Sequence, residues 1–152
     1  MNSSDAAPPD PAALEFSRLL GPLRRAVLRA SRSAADLPDL PEAQIELLRV
    51  LADGPLAPRE AAARLRVAAS TVSNLVKAMR AAGLVERTAD PHDARTVLLT
   101  ATRAAHDLLG RYDRASARVL ARTLDGLPPA DREAFHAALP ALARLTDRLE
   151  GN

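Results

Sequence analysis

Apolar residues recur at helical spacing along most of the chain. Within residues 68–80, Val72, Leu75, Val76 and Met79 stand at i, i+3, i+4 and i+7, the spacing of a buried helical stripe. Ser70, Thr71, Ser73, Asn74, Lys77 and Arg80 fill the opposite arc, which holds hydroxyls, an amide and two cations but no carboxylate. Upstream, residues 58–65 read as a short helix. Pro58 suits its first position, where a missing N–H costs nothing. Glu60 complements the helix dipole there, and Ala61, Ala62 and Leu65 pack on the following helix. Arg66 and Val67 supply the turn. Downstream, Gly83 is a C-cap that tolerates positive φ. Residues 84–87 and 96–99 are short β-rich runs on either side of a polar tip, residues 88–95, which predicts a hairpin. Two helices at a tight turn followed by a hairpin make a winged helix-turn-helix over residues 56–100.

The flanks are helical as well. Residues 1–10 are Ser, Ala, Pro and Asp around the initial Met and Asn, a poor composition for burial, and read as a disordered tail. Residues 11–35 form a long helix in which Phe16, Leu19, Leu20, Leu23 and Val27 follow the helical period. Pro22 lies inside it and predicts a bend or a new segment. Residues 37–41 are a stiff connector, and residues 42–52 a second helix with Ile45, Leu48 and Leu51 inward. After the hairpin, Thr100 is expected to cap a helix that runs to about Leu124. Its stripe is Ala105, Leu108, Leu109, Tyr112, Ser116, Val119 and Leu120. Pro129 opens a last helix to about Leu149 with an apolar face of Phe135, Ala138, Leu139, Leu142, Leu145 and Leu149, and Pro140 predicts a kink in it. The expected fold class is thus mainly α: a winged helix-turn-helix with a small β-hairpin wing and long N- and C-terminal helices.

Composition changes this picture in one respect. Hydrophobic residues make up 47% of the chain but aromatics only 2%, because alanine carries much of the share. Each long helix therefore has few large side chains, and the terminal helices are too long to be covered by one small winged helix. A homodimer that completes the core across a subunit interface is expected. The organisation follows: a tail over residues 1–10, a dimerisation helix and connector over 11–40, a DNA-binding region over 41–100, and C-terminal helices completing the dimer over 101–152.

Charge points the same way. The formal net charge is only +2, yet residues 57–103 hold eight basic and four acidic side chains, while residues 1–56 hold six and eight. The positive charge lies in the winged helix, as an electrostatic footprint for a polyanion requires. With no cysteine there is neither a disulfide framework nor a thiol sensor. No apolar run is long enough to span a bilayer, and the N-terminus lacks the basic and apolar regions of a signal peptide, so a cytoplasmic protein is expected. His92, His106 and His136 are far apart and suggest no metal site. No phosphate loop, nucleophile elbow or His-Glu-x-x-His is present, so neither catalysis nor a cofactor is expected.

The polar arc at 70–80 has the chemistry of a DNA-reading surface, since phosphates repel carboxylates and base edges need short polar groups. Ser70, Thr71 and Asn74 are candidates for base edges, Lys77 and Arg80 for phosphates, and Ser73 is a further DNA-binding candidate on the same arc. A bidentate contact from Asn74 to adenine would be worth about 1–3 kcal/mol of discrimination. On the wing, Arg95 is a candidate for the minor groove, where narrow A·T-rich segments concentrate negative potential. Arg87 and His92 are further phosphate candidates, as is Arg59 near a helix N-terminus.

At this point the sequence resembles the MarR family of bacterial transcription regulators. The matching residues are Leu40-Pro-Glu-Ala-Gln44, Ser70-Thr-Val-Ser-Asn74, Gly83-Leu-Val-Glu-Arg87, Asp90-Pro-His-Asp-Ala-Arg95 and Leu98-Leu-Thr100. The Asp93/Arg95 pair is the most specific of these. Ala68 stands where the family usually has a capping Ser or Thr. The resemblance implies a dimer interlocked through its first and last helices. It implies binding to a palindromic operator, most often as a repressor. In that pattern Asp93 orients Arg95 through a charge-assisted hydrogen bond. It also implies a small phenolic or carboxylate effector between the dimer helices and the winged helix, near Arg25, His106, Arg111 and Tyr112. The competing reading is a winged helix that serves protein–protein contact without binding DNA.

Overall fold

The structure, a computed structural model, describes residues 10–91, 93 and 95–151, the Glu150 side chain excepted. The expected disordered tail lies outside them but for Asp10, as does His92. Six helices and one hairpin follow in order: α1 (Pro11–Ala35), α2 (Glu42–Ala52), α3 (Pro58–Leu65), α4 (Ala69–Ala81), β1 (Val85–Ala89), β2 (Val97–Ala101), α5 (Arg103–Asp125) and α6 (Pro129–Glu150). The chain divides into two compact units. One spans residues 31–115. The other combines the earlier part of α1 with the chain from Ser116 onward.

The unit of residues 31–115 owns the core. α2 supplies Ile45, Leu47, Leu48 and Leu51, all buried. Around it pack Ala61 and Ala62 of α3, then Val72, Val76 and Met79 of α4. Leu84, Val85, Leu99 and Ala101 come from the hairpin, and Ala105, Leu108, Leu109, Tyr112 and Ala115 from α5. The alanines of α3 matter because small side chains let two helices approach closely. Antiparallel β1 and β2 pair from Val85↔Ala101 to Ala89↔Val97. Leu56 adds a bridge to Leu99 with bonds of 3.1 and 2.8 Å in the two directions. That bridge ties the wing to the segment before α3.

Helix ends follow local chemistry. Pro58 opens α3, and the Glu60 carboxylate accepts the Ala57 N–H at 2.9 Å. Glu60 thus makes a specific cap as well as a favourable charge at a helix N-terminus. Arg66 at φ 54° closes α3 in the left-handed region. Gly83 at φ 70° closes α4, with the Leu84 N–H reaching back to Met79 O at 2.9 Å. Ala68 occupies the N-cap of α4 in extended geometry and gives it no side-chain hydrogen bond.

Two expectations need correcting, the cap of α5 and the extent of the wing strands. Thr100 does not cap α5. The hairpin runs on to Ala101, and Thr102 is the cap, its Oγ1 accepting the Ala105 N–H at 3.2 Å. Pro22 starts no new segment, and Pro140 does not interrupt α6. Gly21 precedes Pro22 and lacks the Cβ that the proline ring would strike. The carbonyls freed by the two prolines belong to Arg18 and His136, both at exposed positions where water can take them. The wing strands also reach further than expected, leaving residues 90–96 as the loop.

In the other unit the long helices leave large apolar side chains in solvent. Leu19, Leu20 and Leu23 of α1 are each about half exposed, as are Leu139, Leu145 and Leu149 of α6. An open groove of about 450 Å³ lies between the end of α5 and the start of α6, lined in part by Leu124, Arg132 and His136.

Candidate nucleic-acid interface

α4 buries Val72, Val76 and Met79 and half-buries Leu75. That anchoring turns the other arc outward: Ser70, Thr71, Ser73, Asn74, Lys77 and Arg80 are all exposed. Among the described residues, none of these six side chains has a hydrogen bond or ion pair. The absence of acid matters here. No carboxylate from α4 neutralises Lys77 or Arg80, so the arc presents unspent donors to whatever it meets.

The wing is built differently. Its loop is folded on Asp93, whose Oδ1 accepts the Arg95 N–H at 3.0 Å and whose Oδ2 accepts the Thr96 hydroxyl at 2.9 Å. The Thr96 N–H returns to Asp93 O at 2.9 Å, and the Asp90 N–H bonds Thr96 O at 2.9 Å. Asp93 therefore orients Arg95 through the main chain, not through the guanidinium. Arg95 is left exposed, and so is Arg87 on β1. Thr96 was missed in the sequence. Its signal was a hydroxyl three residues after an aspartate, the spacing of a local side-chain turn. Arg59 is exposed in the first turn of α3.

The residues expected near an effector are placed in both units. Arg25 is exposed on α1 in the unit that contains α6. His106, Arg111 and Tyr112 lie on α5 within residues 31–115. His106 is exposed, whereas Tyr112 is buried and its hydroxyl donates to Pro38 O. Arg111 Nη2 donates to Ala35 O and Asp36 O, both at 3.3 Å. These two side chains thus hold the connector after α1. Arg32 grips it from the other side, through Leu40 O at 2.7 Å and an ion pair with Asp39. No group of His, Asp or Glu able to hold a metal occurs among the described residues.

Comparison with known proteins agrees with this fold. The sequence model described as MarR family matches residues 39–96, from the connector through the wing loop. The transcriptional regulator Tm0710 from Thermotoga maritima is 26% identical, covers 91% of this chain and 99% of its own, and superposes with a TM-score of 0.69. RV1404 from Mycobacterium tuberculosis is 20% identical over 92% of this chain and 97% of its own, at a TM-score of 0.76. A mutant of MepR from S. aureus, solved bound to an oligodeoxyribonucleotide, is 17% identical over 91% of this chain and 99% of its own, at 0.64. No curated protein matches the sequence. The chain thus has the winged helix-turn-helix fold of these proteins, and its residues 39–96 match the MarR family.

Proposed function

We propose that this protein is a sequence-specific, DNA-binding transcriptional regulator. In this reading it binds a palindromic operator as a homodimer and acts as a repressor that a small effector releases. One observation carries the DNA reading: six exposed donors on α4 with no acid among them and no side-chain partner among the described residues. An ordinary solvated helix face mixes both signs of charge. A face that enters the major groove keeps donors for base edges and phosphates. The oligodeoxyribonucleotide bound to the MepR mutant supports the reading from a protein of similar fold.

Each side chain then has a role set by its chemistry. Asn74 can offer its amide to the adenine N6/N7 edge, and Ser70, Thr71 and Ser73 are short enough to reach neighbouring bases. Lys77, Arg80 and Arg59 suit phosphates, which set register without reading sequence. Arg95 and Arg87 carry charge on the wing, with Arg95 suited to the minor groove. An effector approaching Tyr112 or Arg111 would compete with the carbonyls of the connector, which links the end of α1 to the winged helix. That competition is a route from ligand to recognition helix. No described helix is long and apolar enough to cross a membrane. We place the protein in the cytoplasm, where its operator would be.

Selection from a randomised duplex library at fixed, near-physiological salt tests the reading. Enrichment of a palindrome with half-sites about 10 bp apart, one helical turn, is expected. No enrichment, either before or after unfolding and refolding to strip bound ligand, would overturn it in favour of a protein-contact module.

A further inference from the structure

Thr102 joins three elements by hydrogen bonds. Its N–H donates to Leu84 O at 3.1 Å, and its hydroxyl donates to Gly83 O at 2.8 Å. The same Oγ1 accepts the Ala105 N–H at 3.2 Å, and Thr102 O accepts the His106 N–H at 3.1 Å. Gly83 is the left-handed residue that ends α4, and Leu84 leads into β1. Leu84 in turn donates to Met79 O at 2.9 Å, and Met79 is fully buried. One hydroxyl therefore caps the start of α5 while it holds the last carbonyl of the recognition helix's closing turn. Leu84, Ala101 and Ala105, which flank these bonds in the chain, are buried.

An N-cap alone would need only the acceptor. The donated bond to Gly83 O is the additional feature, because it links two helices that the hairpin separates in the chain. We propose that Thr102 is a positioning residue for DNA recognition, its hydroxyl fixing the angle between the end of α4 and the start of α5. This rests on the DNA-binding reading above. In a dimer, a fixed angle makes the separation of the two recognition helices follow α5 rigidly. Without the bond both helices keep their own hydrogen bonds, but α4 can swivel about the Gly83 turn. The protein then loses discrimination between half-site spacings before it loses the ability to bind.

The test uses the full chain and three proteins: wild type, Thr102→Val, which keeps the shape without the hydroxyl, and Thr102→Ser, which keeps the hydroxyl. Affinity is measured on the selected operator and on versions with one base pair added or removed between half-sites. Wild type and Thr102→Ser should fall steeply off the selected spacing. Thr102→Val should bind the selected spacing severalfold more weakly and fall off less. A mere loss of stability would lower all three operators by the same factor, and that result would overturn the proposal. Amide exchange gives a DNA-independent readout. In Thr102→Val the Gly83 and Leu84 amides at the end of α4 should exchange severalfold faster, along with Ala105, and Thr102→Ser should restore them. Faster exchange at Ala105 alone would reduce Thr102 to a simple cap. If wild type binds no duplex at all, the DNA reading fails on its own, and exchange at Gly83 and Leu84 still decides whether the joint exists.

Discussion

Asp93 holds Arg95 by the backbone: its carboxylate accepts the Arg95 N–H at 3.0 Å, while the exposed guanidinium has no partner among the described residues. An aspartate beside an arginine would normally cancel part of its charge. Here the carboxylate is spent on shaping the loop, and the cation is left for a partner. The two residues should therefore fail differently. Arg95→Ala removes a cation that the proposed reading places on DNA and should lower the log–log salt slope of binding by about 1. Asp93→Ala loosens the loop but leaves the cation, so affinity should fall with the slope unchanged. Titrations at four or more salt concentrations read both. An unaltered slope in Arg95→Ala would remove the wing from the interface.

Ala68 is the second point. It has the extended geometry of an N-cap, φ −66° and ψ 149°, but no side chain to accept the N–H groups of the first turn. Ala68→Ser supplies one without altering the backbone. It should raise stability by about 1 kcal/mol, seen as a higher urea midpoint at constant m-value. The same midpoint in both proteins would mean that the first turn of α4 is already satisfied in another way.

The winged helix was legible because its signals are local. Val72, Val76 and Met79 form a single stripe, Pro58 and Gly83 punctuate the helices, and each lies where the sequence placed it. What escaped depended on residues distant in the chain. For α2 the sequence stripe held Ile45, Leu48 and Leu51, yet Leu47 is fully buried too. A helix enclosed by α3, α4 and β2 buries more than one stripe, and periodicity reports only the strongest. Thr100 and Thr102 are equivalent as local caps, and only the pairing of Ala101 with Val85 decides between them. The donor arc was visible as a list of residue types. That its side chains lack partners among the described residues was not, since this depends on what surrounds them in space.

Two buried contacts should differ sharply in cost. Leu47 is wholly enclosed, and Leu47→Ala leaves a cavity that should cost about 2–5 kcal/mol. Tyr112→Phe removes only the hydroxyl bond to Pro38 O. Pro38 is exposed, so water can take over its carbonyl, and the loss should stay near 1 kcal/mol. Denaturant unfolding ranks the pair. If Tyr112→Phe proved as damaging as Leu47→Ala, the connector would be a principal support of the core and not an attachment to it.

The apolar face of the unit that holds α6 leads to the last prediction. Leu19, Leu20 and Leu23 are 55, 50 and 56% exposed, and Leu139, Leu145 and Leu149 are 44, 42 and 63% exposed. Apolar surface in water costs about 25 cal/mol per Å², so exposed leucines repeated along two helices call for a partner that covers them. A second copy of the chain is the partner that the proposed palindromic operator requires. Leu23→Glu would place a carboxylate in that face, where a dimer would have to bury it. The winged helix has its own core in residues 31–115 and should stay folded. Sedimentation should then show a dimer for wild type and a monomer for Leu23→Glu at the same concentration. Far-UV circular dichroism should show retained helix, and the melting temperature of wild type alone should rise with concentration. On DNA the variant should treat a palindrome and an isolated half-site nearly alike, because the second recognition helix no longer arrives with the first. A Leu23→Glu protein that still sediments as a dimer would show that this face of α1 is not where two chains meet.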